Sequence, residues 1–343
     1  MKHIRYLILL VISISPIFID AQKKKVDRED FFKDERVLEM KLTTDIRQLI
    51  IEKKSLNPVN ASVSLKFPDS SIINEKITIK PRGIFRKNNC DMASLLFEFK
   101  NEEAPLLSSL KKLKMVGGCG KTASDEQLVL KEYIIYKMYN LFTDMSLRVR
   151  LLKIEYIDSE KRNKPYTQYG FLIEDIDDMA KRNNCQEKEN VNYHPERTQR
   201  KLTTLVSMFQ YMIGNTDWSI TYYHNIKLIV PKEDTTKLPF VIPYDFDVTG
   251  FVNAAYAVPA AELNLSSVTE RLYRGFPRTI AEIEETASVF LEKEKTIYAM
   301  LENFPQFTKS SKKEMNNFLD DFFNTLKNKK LLQKVFIDNA RSG

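Results

Sequence analysis

The amino-acid sequence predicts an α+β fold of two lobes, a β-rich N-terminal lobe over residues 36–175 and a mainly helical C-terminal lobe over residues 176–343. Between about residues 60 and 175, short runs are apolar or alternate apolar with polar residues, as strands require. After residue 200, apolar residues recur chiefly at helical spacing. The 343 residues are enough for a large core and two packed units.

Residues 1–21 predict a cleaved secretory signal. Lys2 and Arg5 precede an apolar run that is too short to span a membrane comfortably. Gln22 follows the expected cleavage point, where a lipid-anchored lipoprotein would need cysteine. We therefore expect an extracytoplasmic protein, periplasmic or secreted, with no stable membrane span, and an uncleaved N-terminal anchor is the alternative. Residues 22–35 are highly charged and predict a flexible N-terminus.

The net charge of +7 is dispersed along the chain, without the recurrent basic and aromatic interleaving that nucleic-acid binding would favour. The odd number of cysteines predicts one disulfide and one free thiol in an oxidising compartment. Cys90 and Cys119 are the expected pair, since both fall in loops at strand ends, which leaves Cys185. The lack of CxxC or paired histidine spacing argues against zinc.

The first half of the chain predicts several strands and one long helix. The runs at 148–158 and 167–175 are expected to pair around a polar turn, and Ser124 with Gln127 predicts a capping box for a helix of about 18 residues. The other strands are expected at 63–67, 76–80, 94–100 and 111–116, with Pro81 and Gly83 marking a turn and Lys112 and Lys114 on one face.

The second half predicts helices around one hairpin. An apolar stripe from Leu202 to Ile213 predicts a long helix that ends at Gly214, because glycine accepts the left-handed conformation that stops helices. Capping residues and helical spacing predict further helices near 278–302 and 308–336.

The segment GGCGKT lies between a strand and a helix and invites a phosphate-loop interpretation. The phosphate loop also needs a glycine five residues before Gly120, and Met115 stands there. A helix start that carries a disulfide is therefore the favoured interpretation.

The densest run of chemically capable residues spans 208–250. Asp217 lies in a polar turn after the helix, Asn225 begins the next apolar run, and Asp245 and Asp247 follow a short apolar strand. Carboxylate and amide oxygens suit Mg²⁺ or Mn²⁺. Taken singly, Asp217 could be a turn residue and Asp247 could cap the following turn.

The order of these residues points to phosphoryl transfer. Asp217, Asn225 and Asp245 follow one another as base, metal ligand and metal ligand do in protein-kinase-like enzymes, although protein kinases separate the first two by five residues and this chain by eight. His224 has no nearby serine or cysteine nucleophile, so a hydrolytic triad is the weaker hypothesis. Glu132 could be an ordinary paired helix residue or could hold a strand lysine on the phosphates.

A resemblance rests on eight segments in order: RGIFRKNNC, LKMVGGC, LKEYIIYKMYN, LRVRLLKIEY, YGFLIEDID, MFQYMIGNTDW, HNIKLI and PYDFDVTG. Over about residues 60–275 the chain resembles secreted bacterial relatives of the spore-coat CotH kinase family. The resemblance implies a two-lobe protein-kinase-like fold and transfer of phosphate from ATP to protein or other envelope acceptors with Mg²⁺ or Mn²⁺.

The resemblance also assigns roles. It implies Asp217 as the catalytic residue and Asn225 and Asp245, with Asp247, as metal ligands. Arg82, Lys114 and Glu132 would face the phosphates, and Glu174, near a hinge between the lobes, would also bind the cofactor. Leu96 departs from the pattern, because related sequences usually place a basic residue in that strand. Since ATP is also scarce outside the cytoplasm, a catalytically inactive binding module is the alternative.

Overall fold

Seven strands of the first half of the chain close into a β-barrel in a computed structural model, which describes residues 25–100, 102–188 and 193–341. The expected secretory signal at residues 1–21 lies outside the described residues. The barrel order is β1-β2-β3-β4-β5-β7-β6. Its strands are β1 (Leu38–Thr44), β2 (Val59–Lys66), β3 (Ile72–Arg82), β4 (Ser94–Glu98), β5 (Lys112–Val116), β6 (Val149–Asp158) and β7 (Tyr166–Ile173).

The expected two-lobe protein-kinase-like fold is wrong, because the sheet closes on itself and helices follow it mainly towards the C-terminus. Strand β1 closes it: Met40 lies opposite Leu65 in antiparallel pairing with β2 and opposite Ile154 in parallel pairing with β6. The predicted strands began at residue 63, so β1 was missing from the expectation. Its alternating burial, with Leu38, Met40 and Leu42 inside the barrel, is the pattern of a strand with one face in a core.

The barrel wall separates two cores. Along β7, Leu172 points into the barrel interior, whereas Phe171 and Ile173 belong to a second core outside it. Strand alternation produces this division, because successive side chains point to opposite faces. The outer core also contains the buried side of helix α4 (Ala123–Asn140) and the C-terminal helices. Helix α4 thus joins the barrel to the rest of the molecule.

Helix α4 has the predicted length of 18 residues, but its predicted cap is wrong. Thr122, not Ser124, caps the helix, and the reciprocal partner is Asp125 rather than Gln127. The predicted disulfide between Cys90 and Cys119 is confirmed, with a Cα–Cα distance of 4.6 Å, and Cys185 is a buried free thiol.

Within the described residues, three short α-helices precede or connect strands of the barrel. They are α1 (Arg28–Lys33) before β1, α2 (Ile46–Glu52) between β1 and β2, and α3 (Ile84–Asn89) between β3 and β4. Helix α1 falls within the predicted flexible N-terminus, yet Phe31 and Phe32 are buried in the barrel core.

After the barrel come α5 (Ile176–Arg182), a three-stranded sheet of order β10-β9-β8 and four further helices. Helix α6 ends as predicted just before Gly214, whose φ is +63°. Within the described ranges, every helix is too short or too polar to cross a membrane. The remaining elements are β8 (Cys185–Glu187), α6 (Arg200–Met212), β9 (Ile226–Pro231), β10 (Phe240–Pro243), α7 (Ile280–Glu302), α8 (Lys309–Lys327) and α9 (Lys329–Gln333).

Candidate functional site

A cavity of about 650 Å³ lies between the outer face of the barrel, helix α4 and the loops that follow α6 and β10. The barrel supplies one wall because alternation along β5 turns Leu113 and Met115 inward and Lys114 outward. The cavity brings together all eight residues predicted for the site: Arg82, Lys114, Glu132, Glu174, Asp217, Asn225, Asp245 and Asp247.

A network of hydrogen bonds shapes the turn that carries Asp217. The Asp217 N–H donates to the side-chain oxygen of Asn215 (2.9 Å), and Asn215 in turn donates to the Gln210 side chain (2.9 Å). Arg274 donates to the carbonyl of Thr216 (2.7 Å) from a later segment. The turn is therefore held from both sides, and it presents Asp217 to the cavity.

Both carboxylate oxygens of Asp217 contact side chains of the two residues that precede β9. His224 Nε2 lies 2.9 Å from Oδ1, and Asn225 Nδ2 donates to Oδ2 (2.9 Å) and to the Asp217 carbonyl (2.8 Å). Because Asn225 donates its amide nitrogen here, its amide oxygen stays available for another group. The Asp217 side chain remains 45% exposed, so a ligand in the cavity can reach it.

Asp245 is a half-buried acid whose ionised form is favoured by the charges of Arg82 and Arg86, although these charges do not outweigh its burial. Its backbone has φ +64°, and its N–H donates to the Tyr136 hydroxyl (2.9 Å). In the described part of the chain, no side chain or backbone group hydrogen-bonds or ion-pairs with its carboxylate. Burial, and next the charge of Asp247, raise the pKa of Asp245 to about 6. A cation beside this carboxylate would relieve both effects.

The residue that the sequence analysis missed is Arg86. It is buried and reaches Asp247 (3.3 Å), Glu132 (3.6 Å) and the carbonyl of Gly117 (2.6 Å). Burial and the charge of Asp247 raise the pKa of Glu132 well above its usual range, although Arg86 opposes this. Arg86 lies in the segment RGIFRKNNC, but no local pattern marks it as buried, because both of its acidic partners are distant in the chain.

This arrangement corrects the role considered for Glu132. Glu132 contacts Arg86 of α3 and not a strand lysine. Lys114 instead lies above the Tyr244 ring, with 5.4 Å between its Nζ and the ring centroid. Glu132 therefore stabilises the segment after β3 rather than orienting Lys114.

Arg82 and Lys114 form the basic wall of the cavity. Both are half-buried, and neither has a carboxylate within 4.0 Å among the residues described. Burial lowers the pKa of Lys114, and the charges of Arg82 and Lys227 lower it further. Leu96, where the resemblance expects a basic residue, lies directly opposite Lys114 on the neighbouring strand. The positive charge at this part of the wall thus comes from β5.

Both carboxylate oxygens of Glu174 accept hydrogen bonds from other residues of the protein. Its Oε1 accepts from Arg182 (3.0 Å), and its Oε2 accepts from Arg182 (3.1 Å) and from the N–H of Arg148 (2.9 Å). With both oxygens occupied in a buried position, Glu174 holds α5 against the start of β6. The geometry does not favour the expected contact between its carboxylate and a ligand.

A metal in this cavity would need ligands beyond the protein's acids. Over residues 25–100, 102–188 and 193–341, no three histidine, cysteine, aspartate or glutamate side chains are grouped to hold an ion. Mg²⁺ usually takes only one or two carboxylates and completes its shell with waters and substrate phosphates. The partner-free carboxylate of Asp245 and the amide oxygen of Asn225 fit that smaller requirement.

Comparison with known proteins adds no family assignment to this geometry. No protein-family model matches the chain. No curated protein matches it either.

Proposed function

We propose that the cavity binds a nucleotide such as ATP with Mg²⁺ or Mn²⁺ and transfers its terminal phosphoryl group to a hydroxyl of a protein or other envelope acceptor. The observation that carries the proposal is a separation of charge inside one cavity. Among the residues that the structure describes, Arg82 and Lys114 on the barrel wall and Asp245 on the loop after β10 are half-buried without an ion pair within 4.0 Å. A phosphate and a cation between the two walls would neutralise both.

The basic wall supports phosphate binding. Burial lowers the pKa of Lys114, and the charge of Arg82 lowers it further, so the two cations of the basic wall repel each other. Phosphate oxygens would remove this repulsion through charge-assisted hydrogen bonds. Val116, Leu147 and Ile173 add a buried apolar surface to the cavity that a nucleobase could contact.

The acidic wall supports the chemistry. The acceptor oxygen attacks the terminal phosphorus and forms a new P–O bond, while the bond between that phosphorus and the bridging oxygen breaks and a nucleoside diphosphate leaves. The hydroxyl proton passes to the Asp217 carboxylate, which His224 and Asn225 orient. Asn225 and Asp245 would hold the cation, which would neutralise charge on the phosphates.

Incubation with labelled ATP, Mn²⁺ and an extract of cell-envelope proteins tests the proposal. The wild type should label itself or an acceptor, and Asp217→Asn should lower the rate at least about 100-fold, the usual range for losing a general base. Asp30→Asn, an exposed aspartate of α1, is the matched control and should retain full activity. Equal labelling by the wild type and Asp217→Asn would refute the role of Asp217.

A catalytically inactive binding module is the second candidate. Two acids that the resemblance places near the nucleotide form contacts within the protein instead. Glu132 contacts Arg86, and the Glu174 carboxylate accepts hydrogen bonds from Arg182. Both contacts favour the inactive module. Such a module would bind nucleotide and cation without transferring phosphate.

Thermal unfolding separates the candidates from a protein that binds no nucleotide. ATP with Mn²⁺ at 100 times the Kd should stabilise the fold by about 2.7 kcal/mol. Stabilisation with no labelling supports the inactive module. The lack of any shift at millimolar nucleotide would contradict both candidates.

The expected secretory signal supports an extracytoplasmic location for this activity. The ordered motifs from RGIFRKNNC to PYDFDVTG support a relationship in function to the CotH kinase family.

A further inference from the structure

We propose that the acceptor of the phosphoryl group is a tyrosine side chain, whose ring binds against Phe85 and Tyr256 at one end of the cavity. This inference rests on the proposed phosphoryl transfer, and it assigns the substrate class of that site. It arises from a difference between the two apolar ends of the cavity.

The two ends lie on opposite sides of the basic wall. The first end includes Ile173 on β7, which is paired with Lys114 on β5. The second end includes Phe85 on α3, which continues directly from Arg82 at the end of β3. The strand order β3-β4-β5-β7 places three interstrand steps between them, or about 14 Å at about 4.8 Å per step. A molecule at one end and a molecule at the other would therefore meet near the cations.

The residues at the two ends of the cavity differ in solvent exposure, and this difference favours a different ligand at each end. At the β7 end, Ile173 and Leu147 are only 7% and 6% exposed, which suits a small planar base enclosed by the protein. At the α3 end, Phe85 is 44% exposed and Val258 is 77% exposed. Of these two ends, the α3 end is the more open to a side chain carried by a large partner. The acceptor is accordingly expected here.

The open end has the chemistry of an aromatic site. The rings of Phe85 and Tyr256 lie 5.2 Å apart between centroids at an interplanar angle of 39°. A third ring could pack beside them at the usual aromatic spacing of about 4.5–7 Å. The loop that carries Val258 also lines the cavity and could cover the other face of such a ring.

A phenolic hydroxyl also suits the adjoining charges. Arg82 and Phe85 both line the cavity where β3 continues into α3, so a ring beside Phe85 lies at the same end of the cavity as one cation of the basic wall. The phenol has a pKa near 10, and its oxygen gains charge readily beside cations. In the transfer step this oxygen forms the new bond to the terminal phosphorus, the bridging P–O bond breaks, and the phenolic proton passes to Asp217.

Three peptides that differ only in a central tyrosine, serine or phenylalanine test this inference. With labelled ATP and Mn²⁺, the wild type should phosphorylate the tyrosine peptide with a kcat/KM at least about ten-fold above that of the serine peptide. Phe85→Ala and Val258→Ser should each raise the KM for the tyrosine peptide about ten-fold and leave the KM for ATP within about two-fold. Leu238→Ala, with the same 44% exposure in the β9–β10 turn, is the control and should behave as wild type.

Binding of the phenylalanine peptide, measured by calorimetry in the presence of a non-hydrolysable ATP analogue, gives a readout without catalysis. Binding that Phe85→Ala weakens, together with no transfer to the tyrosine peptide, would support the aromatic site and contradict phosphoryl transfer. Equal use of the serine and tyrosine peptides, a Phe85→Ala effect on the KM for ATP instead, or no binding of the phenylalanine peptide would overturn the inference.

Discussion

Replacing Asp245 by asparagine should stabilise the protein. Burial and the charge of Asp247 raise the pKa of Asp245 from 3.8 to about 6, so its ionised form is disfavoured in the folded state. At about 1.4 kcal/mol per pH unit, this corresponds to roughly 3 kcal/mol of free energy of unfolding. Asparagine keeps the shape, carries no charge and tolerates the φ of +64° at this position. Asp245→Asn should therefore raise the free energy of unfolding at pH 8 by up to about 3 kcal/mol.

The sign of the pH dependence follows from the same shift. The folded state binds the Asp245 proton more tightly than the unfolded chain, so this contribution is fully present below about pH 4 and is lost as pH rises through about 6. Asp245→Asn should not lose stability over this pH range, because asparagine does not titrate. Glu132, whose pKa is also raised by burial, should cause a further decline in both proteins at higher pH.

Urea unfolding of both proteins in EDTA, from pH 4 to pH 8, measures the effect without a bound cation. Asp30→Asn, which makes the same exchange at an exposed position of α1, is the control and should change the free energy of unfolding by less than about 0.5 kcal/mol. An Asp245→Asn protein that is no more stable than wild type at pH 8, or that keeps the same decline between pH 4 and 6, would refute the reasoning.

Three further changes test the supports of the cavity. Arg86→Met should lower the free energy of unfolding in urea by about 3–5 kcal/mol at pH 8, because it leaves two buried acids without their cation, and a loss below 1 kcal/mol would contradict this. Reducing the Cys90–Cys119 disulfide should cost about 2–4 kcal/mol and lower Tm, whereas a variant with serine at both positions should not respond to reductant. Gly214→Ala should cost more than about 1 kcal/mol in urea unfolding, since φ is +63° and the new Cβ would lie 2.9 Å from Phe318; wild-type stability would contradict the argument.

The predicted gain from Asp245→Asn connects stability with function. A carboxylate that destabilises the fold without a protein partner is expected where a ligand supplies the missing charge. Asp245 has this property, and the lowered pKa of Lys114 indicates it for that part of the basic wall, although the cation and phosphate roles given to these residues stay predictions.

The sequence indicated several residues that line the cavity because each follows a local signal, and the roles assigned to them stay predictions. Asp217 comes just after the end of a strongly periodic helix, and Asp245 comes directly after a buried strand. Lys114 was placed by simple alternation along β5. All three signals depend on neighbours within a few residues, which a sequence displays directly.

Arg86 could not be recognised in the same way. Its partner Asp247 is 161 residues away along the chain, and its other acidic partner, Glu132, reads in sequence as an ordinary helix residue. Nothing local distinguishes an arginine that will be buried between two acids from one that remains in solvent. The pairing exists only because α3, α4 and the segment after β10 pack together.

The sequence by itself determined the β6–β7 hairpin, the length of α4, the end of α6, the disulfide and the positions of the acids, since these depend on short-range periodicity, turn residues and spacing. Only the tertiary structure decided that the sheet is a closed barrel, because closure requires β1 to pair with β6, a strand far along the chain. Closure also decided which side chains face the cavity. Once the interior of the barrel is filled by one face of each strand, the opposite face, with Arg82 and Lys114, must form the wall against which the acids lie.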